Sequence, residues 1–177
     1  IEDYQGNVLE QNFPQEEEAL PAGTAYLMTN LLRGVIENGT GRYARWLNRP
    51  AAGKTGTTND FTDAWFIGYT PQLVSGAWVG YDDRRTLGNR MSGGVVACPI
   101  WTKFMREALI NEPIIDFSVP SGISFVKIDP ETGLLASSRT SGAYLEAFLS
   151  GTEPKEYSFL GKAKVNIITP EEYEQGF

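Results

Sequence analysis

The sequence predicts an α+β fold, an antiparallel sheet with helices packed against it. Three observations carry this. Apolar residues recur at helical spacing between 21 and 38. Two stretches, 63–69 and 73–81, read as strands joined by the short turn Thr70-Pro71-Gln72. A second amphipathic run covers 97–111.

In chain order, residues 1–13 read as strand material, with Gln5-Gly6 before Asn7-Val8-Leu9-Glu10 suggesting a hairpin turn and a short strand. Residues 15–19 form an acidic, solvated linker. The first helix follows over 21–38. Pro21 suits its first turn, and Leu27, Met28, Leu31, Leu32, Val35 and Ile36 form its apolar stripe. Gly39 is expected to stop it in the left-handed conformation. Gly39-Thr40-Gly41, with Arg42, Arg45 and Arg49, then reads as a solvated connector into the next strand.

That strand is Pro50-Ala51-Ala52-Gly53-Lys54-Thr55-Gly56-Thr57-Thr58. Period-two alternation puts Lys54, Gly56 and Thr58 on one face and Thr55 and Thr57 on the other. Two glycines weaken a strand unless something approaches its backbone closely. One cation, several hydroxyls and small residues make a receptor for an extended, carboxylate-bearing ligand. A phosphate loop is excluded: Gly-x-x-x-x-Gly-Lys-Thr requires glycine where the chain has Asn48, Pro50 interrupts the loop, and a strand rather than a helix follows.

Beyond this stretch, Trp65, Ile67 and Tyr69 alternate with Ala64, Phe66 and Gly68, so both faces of that strand are expected to be covered. Pro71 pre-sets the turn. Trp65, Trp78 and Tyr81 are read as core. Residues 82–94 form a loop, in which Asp82 and Asp83 point apart and do not make an acid–base pair. The second helix presents Ile100, Trp101, Phe104, Met105, Ala108 and Leu109 on its apolar side. Residues 123–129 alternate as a strand ending in the turn Pro130-Glu131-Thr132-Gly133, and the tail from Ser137 carries no recognisable chemistry.

Composition narrows the chemistry. The 177 residues, 41% hydrophobic and 12% aromatic, suffice for a sizeable core. A net charge of -7 argues against a general nucleic-acid partner. With no histidine, a Ser-His-Asp triad and a Cys-His pair are excluded within the chain. With Cys98 as the single cysteine, so is a zinc site of the usual ligands. Its apolar setting reads as core packing. No run is long enough for a transmembrane helix, so this segment is expected to make no membrane contact.

The central stretch resembles the Lys-Thr-Gly box of the penicillin-binding proteins, serine transpeptidases that cross-link peptidoglycan. Its flanks extend the resemblance: Ala52-Gly53-Lys54-Thr55-Gly56-Thr57-Thr58, then Asp63-Ala64-Trp65-Phe66-Ile67-Gly68-Tyr69, then Val79-Gly80-Tyr81-Asp82, and later Phe148-Leu149-Ser150-Gly151-Thr152-Glu153-Pro154. This looks like the class A branch, whose members also carry a glycosyltransferase domain.

The resemblance implies the penicillin-binding protein/β-lactamase-like transpeptidase fold, C-terminal portion only. Residues 1–113 would complete the transpeptidase domain and 114–177 would extend it. Beginning at Ile1 in what reads as mid-domain sequence, the chain is expected to need an upstream segment of the same protein carrying Ser-x-x-Lys and Ser-x-Asn. Without it, one sheet edge and a helix-facing surface would stay unfilled. Ser124-Phe125-Val126-Lys127 matches Ser-x-x-Lys by letters, but it sits in a strand after the box, whereas the family's nucleophile opens a helix before it.

By resemblance, Lys54 and Thr57 are catalytic. Lys54 would hold a positive potential and hydrogen-bond the Ser-x-Asn serine, and the Thr57 N–H would be an oxyanion donor. Thr55, Gly56, Thr57 and Thr58 would bind substrate: the Thr55 and Thr57 hydroxyls a terminal carboxylate, Gly56 an extended ligand backbone. The expected ligands are peptidoglycan stem peptides and β-lactams, with no cofactor and no metal, in an extracytoplasmic setting anchored through the N-terminal part of the parent. A D,D-carboxypeptidase or β-lactamase-type hydrolase, or an inactive binding protein on this fold, stays open.

Overall fold

The computed structural model describes residues 1–13, 17–158 and 167–175. Helix α1 (Ala22–Glu37) leads through a 3-10 helix (Arg42–Leu47) into β1 (Ala52–Thr57), β2 (Asp63–Tyr69) and β3 (Val74–Gly80). A loop then enters α2 (Ala97–Ala108), and a second unit follows with β4 (Ile123–Ile128), β5 (Tyr144–Leu149) and the short α3 (Pro170–Glu174).

The first sheet is antiparallel in the order β1-β2-β3, as the pattern predicted. The β2–β3 turn is closed by the Thr70 N–H donating to the Leu73 carbonyl at 2.9 Å. Strand β1 runs antiparallel to β2 with Lys54 opposite Ile67, Thr55 opposite Phe66, Gly56 opposite Trp65 and Thr57 opposite Ala64. One face of this sheet buries Ala64 and Phe66 against Trp101 and Met105 from α2, Leu109 at its C-cap and Leu47 from the 3-10 helix. The Phe66 and Trp101 rings meet edge to face at 4.9 Å. Cys98 lies in this core, where burial pushes its thiol pKa up.

The opposite face is open. Trp65 is 43% exposed, Ile67 53%, Val74 66% and Trp78 46%, and the Trp65 and Trp78 rings lie 6.1 Å apart. The expectation that both faces of β2 are covered is therefore corrected, as is the reading of Trp65, Trp78 and Tyr81 as core. Among the described residues nothing packs over that face. The sequence pattern registers how apolar a face is, and leaves open which segment covers it.

Both long helices bury less than their stripes suggested. In α1 the buried residues are Tyr26, Thr29 and Ile36, while Met28 and Leu31 are exposed. In α2 and its C-cap, Trp101, Met105 and Leu109 are buried, but Ile100 and Phe104 are more than half exposed. Gly39 does not take the left-handed conformation. Glycine is needed there for space, since a Cβ would lie 2.9 Å from the Val35 Cα and carbonyl oxygen. The helix ends instead on Asn38, whose N–H donates to the Gly34 carbonyl.

Two further expectations change. Residues 1–13 form no strand, only a tight loop closed by one bridge between Glu2 and Val8, with Asp3 Oδ1 accepting from the Gln5 and Asn7 N–H groups. Arg49 is half-buried and not a free surface cation: it donates to the carbonyls of Leu109, Glu112 and Pro113 and so ties β1's entry to the end of α2. The acidic linker is exposed and irregular at 17–19, its residues 15–16 lying outside the described ones.

The second unit leans on α1. Strands β4 and β5 pair antiparallel, and their core of Ile123, Phe125, Ala147 and Ile168 includes Tyr26 from α1. Tyr173 of α3 stacks on Phe125 at 4.1 Å. Helix α3 opens with a capping box, Thr169 with Glu172. That signal stood in Thr169-Pro170-Glu171-Glu172, inside a tail read only as carrying no chemistry.

Candidate active-site edge

Strand β1 ends the sheet, with no strand partner on its outer side among the described residues. Ladder geometry decides which backbone groups face outward. The Thr58 N–H donates inward to the Asp63 carbonyl at 3.1 Å, while the Asp63 N–H donates to Thr58 Oγ1 at 2.8 Å. In an antiparallel ladder hydrogen-bonded pairs alternate with non-bonded ones. The inward-bonded positions are therefore Thr58, Gly56 and Lys54, and the N–H and C=O groups of Thr57 and Thr55 point to the open edge.

The Lys54 ammonium agrees with this geometry. Its Nζ donates to the Thr55 carbonyl at 2.8 Å, folding the cation onto the open edge. One short strand thus presents an outward-facing backbone N–H at Thr57, a cation on the Thr55 carbonyl, and two threonine hydroxyls. Gly56 spares β1 a tight contact with β2: a Cβ there would sit 3.2 Å from the Trp65 Cβ.

The threonines are held from behind. Thr57 Oγ1 accepts from the Gly93 N–H at 3.0 Å, and Thr55 Oγ1 lies 2.7 Å from Thr40 Oγ1. Thr57 is exposed and Thr55 half-buried. Thr58 stands apart from them. It follows the strand, and its hydroxyl is engaged by the Asp63 N–H and, at 2.7 Å, by Thr62 Oγ1. It clamps the β1–β2 hairpin.

Asp63 entered the sequence reading only as the start of a strand, with no role of its own. Its Oδ1 accepts from the Trp78 indole N–H at 3.0 Å and its Oδ2 from the Thr62 hydroxyl at 3.0 Å. Those two bonds, the indole's first, hold its carboxyl below the ordinary value of 3.8. The carboxylate locks the outer ends of all three strands together beside Thr57. Thr40 and Gly93 were also missed as site residues, their one signal being glycines flanking Thr40 and the Gly93-Gly94 pair.

Ser124 lies where the alternation put it, on β4, 3% exposed and hydrogen-bonded to Glu153. Lys127 follows three residues later on the same strand, so the two side chains leave opposite faces. Burial raises the Glu153 pKa, but bonds from the Ser124 hydroxyl and from backbone N–H groups outweigh it and the net shift is downward.

Comparison with known families matches residues 2–106 to the penicillin-binding protein transpeptidase domain, which is more than half of the chain. The chain belongs to the penicillin-binding protein transpeptidase family. Residues 119–160 match the C-terminal domain of penicillin-binding protein 1A. Penicillin-binding protein 1A of Aquifex aeolicus is 45% identical over 154 residues, 87% of this chain and 21% of that protein. The Pseudomonas aeruginosa protein of the same name is 48% identical over 139 residues, 78% of this chain and 17% of its own length. The chain thus spans about a fifth of these relatives. The crystal structure of penicillin-binding protein 1A from Haemophilus influenzae superposes with a TM-score of 0.69 at 34% identity, covering 77% of this chain and 22% of that one. The antiparallel sheet and packed helices are therefore the C-terminal part of this family's fold.

Proposed function

We propose that this chain supplies the Lys-Thr-Gly side of the cleft of a peptidoglycan D,D-transpeptidase working by serine acyl transfer. One observation carries the reading: the open edge of β1, where the outward Thr57 N–H, the Lys54 ammonium and two threonine hydroxyls converge. In this reading an extended stem peptide, or a β-lactam in its place, lies along β1 as an added strand. The Thr57 N–H faces the carbonyl oxygen that becomes an oxyanion. The Thr55 and Thr57 hydroxyls receive the terminal carboxylate. Lys54 favours proton transfer through a serine opposite.

The nucleophilic serine, its lysine and the Ser-x-Asn element come from a preceding segment of the same protein. Part of that segment covers the open Trp65/Ile67/Trp78 face. Residues 1–113 complete the transpeptidase domain and 114–177 extend it. The site works outside the cytoplasmic membrane, held there by an anchor elsewhere in the parent. No helix of the described residues is long and apolar enough to cross a membrane.

A labelling experiment tests this. Fluorescent penicillin should acylate the full-length protein that carries this chain, with the adduct mapping upstream of Ile1 by peptide mass. The chain by itself should keep its mass unchanged. An adduct at Ser124, or no adduct in the full-length protein, overturns the proposal. Supplying acceptor amines then separates transfer from hydrolysis.

A further inference from the structure

We infer that Thr40 and the Gly93 amide are positioning groups that turn the Thr55 and Thr57 hydroxyls into donors aimed at a ligand carboxylate. The inference rests on the carboxylate-binding reading of β1. A hydroxyl has one proton to give and two lone pairs to accept with. The Gly93 N–H occupies a lone pair of Thr57 Oγ1 at 3.0 Å, which leaves the Thr57 proton for the exposed side. Thr40 Oγ1 stands 2.7 Å from Thr55 Oγ1. With an anion in the cleft, Thr55 gives its proton to the anion and Thr40 gives its own to Thr55. Donors aligned in one direction polarise each other.

Three segments far apart in sequence meet to build this arrangement. They are the turn after α1, strand β1, and the loop leading into α2. The contact depends on two glycines. A Cβ at Gly93 would lie 2.1 Å from the Trp65 carbonyl oxygen and 2.5 Å from that of Gly56. At Gly94 it would lie 2.4 Å from the Thr40 carbonyl oxygen. Only glycines let the loop lie flat over β1 and touch the Thr40 turn at once. Neither Thr40 nor Gly93 needs to contact the ligand, so both act through the box threonines.

The test uses the full-length protein and two probes, benzylpenicillin and its methyl ester, in which the carboxylate is masked. Thr40→Val keeps the shape and removes the hydroxyl. It should lower the second-order rate of acylation by benzylpenicillin roughly two- to tenfold, the worth of one hydrogen bond, and leave the ester's rate unchanged. Thr40→Ser should retain the wild-type rate. In a Thr55→Val background, Thr40→Val should cost nothing more. Equal losses on both probes would make Thr40 merely structural and overturn the inference. So would no loss in Thr40→Val while Thr55→Val loses rate on benzylpenicillin alone. If Thr55→Val itself spares benzylpenicillin, the carboxylate reading falls and takes the inference with it.

Discussion

Replacing Lys54 by methionine separates a catalytic cation from an ornamental one. The Lys54 side chain is exposed, and its ammonium touches the Thr55 carbonyl at the sheet edge. Removing such a group should cost the fold no more than about 0.5 kcal/mol. For a chain of this size that is a shift of about 1–2 °C in Tm. In the cleft the same ammonium would donate to a serine opposite and attract the carboxylate. A hydrogen bond from a charged group is worth about 1.5–3 kcal/mol, or roughly ten- to a hundredfold in rate. Lys54→Met should therefore leave the melting curve nearly in place and cut acylation at least tenfold. Lys54→Arg keeps the charge but replaces a compact ammonium with a planar fork, so partial activity is expected. Stopped-flow acylation of the full-length protein, with thermal melts as control, decides. Acylation within twofold of wild type in Lys54→Met would refute the assignment, leaving the box a structural strand.

Thr57→Ala removes one hydroxyl and keeps the outward N–H, so acylation should fall about ten- to a hundredfold. Thr57→Pro removes the N–H as well and should cost more than the roughly 10²–10³ of a lost oxyanion donor; equal effects would sink the oxyanion role. Phe66→Ala empties the space between β2 and α2 and should destabilise the chain by about 3–5 kcal/mol in denaturant titrations, since Phe66 is fully buried; a loss under 1 kcal/mol would mean that the sheet does not depend on this core. Asp63 has a folded pKa below its ordinary 3.8, so its contribution is fully present above about pH 4 and is lost as pH falls through the folded value. Wild type should melt above Asp63→Asn at pH 7, and the gap should close on acidification below about pH 4. A gap of constant size down to pH 2 would show that the charge is irrelevant.

Much of this was legible in the chain itself. Local patterning determined the helices at Ala22–Glu37 and Ala97–Ala108, the three strands with their turn at Pro71, and the strand setting that disqualifies Ser124. Those features are periodic, and each is decided within one or two turns of chain. The box residues Lys54 to Thr57 stood out because a cation and hydroxyls among glycines are a poor choice for a strand that only packs. Ladder phase was another matter. That Thr57 and not Gly56 turns its N–H to the open edge depends on how Thr58 pairs with Asp63, a contact between strands.

Tertiary structure alone decided which apolar residues are buried. Trp65 and Phe66 are neighbours of equal hydrophobic promise, yet Phe66 is covered by α2 while Trp65 remains 43% exposed. Alternation separates two faces but does not say which one meets a helix. Thr40 and Gly93 were invisible for the same reason. Their worth lies in contacts with Thr55 and Thr57, 15 and 36 residues away. No local pattern encodes a hydrogen bond between segments that meet only after the chain has folded.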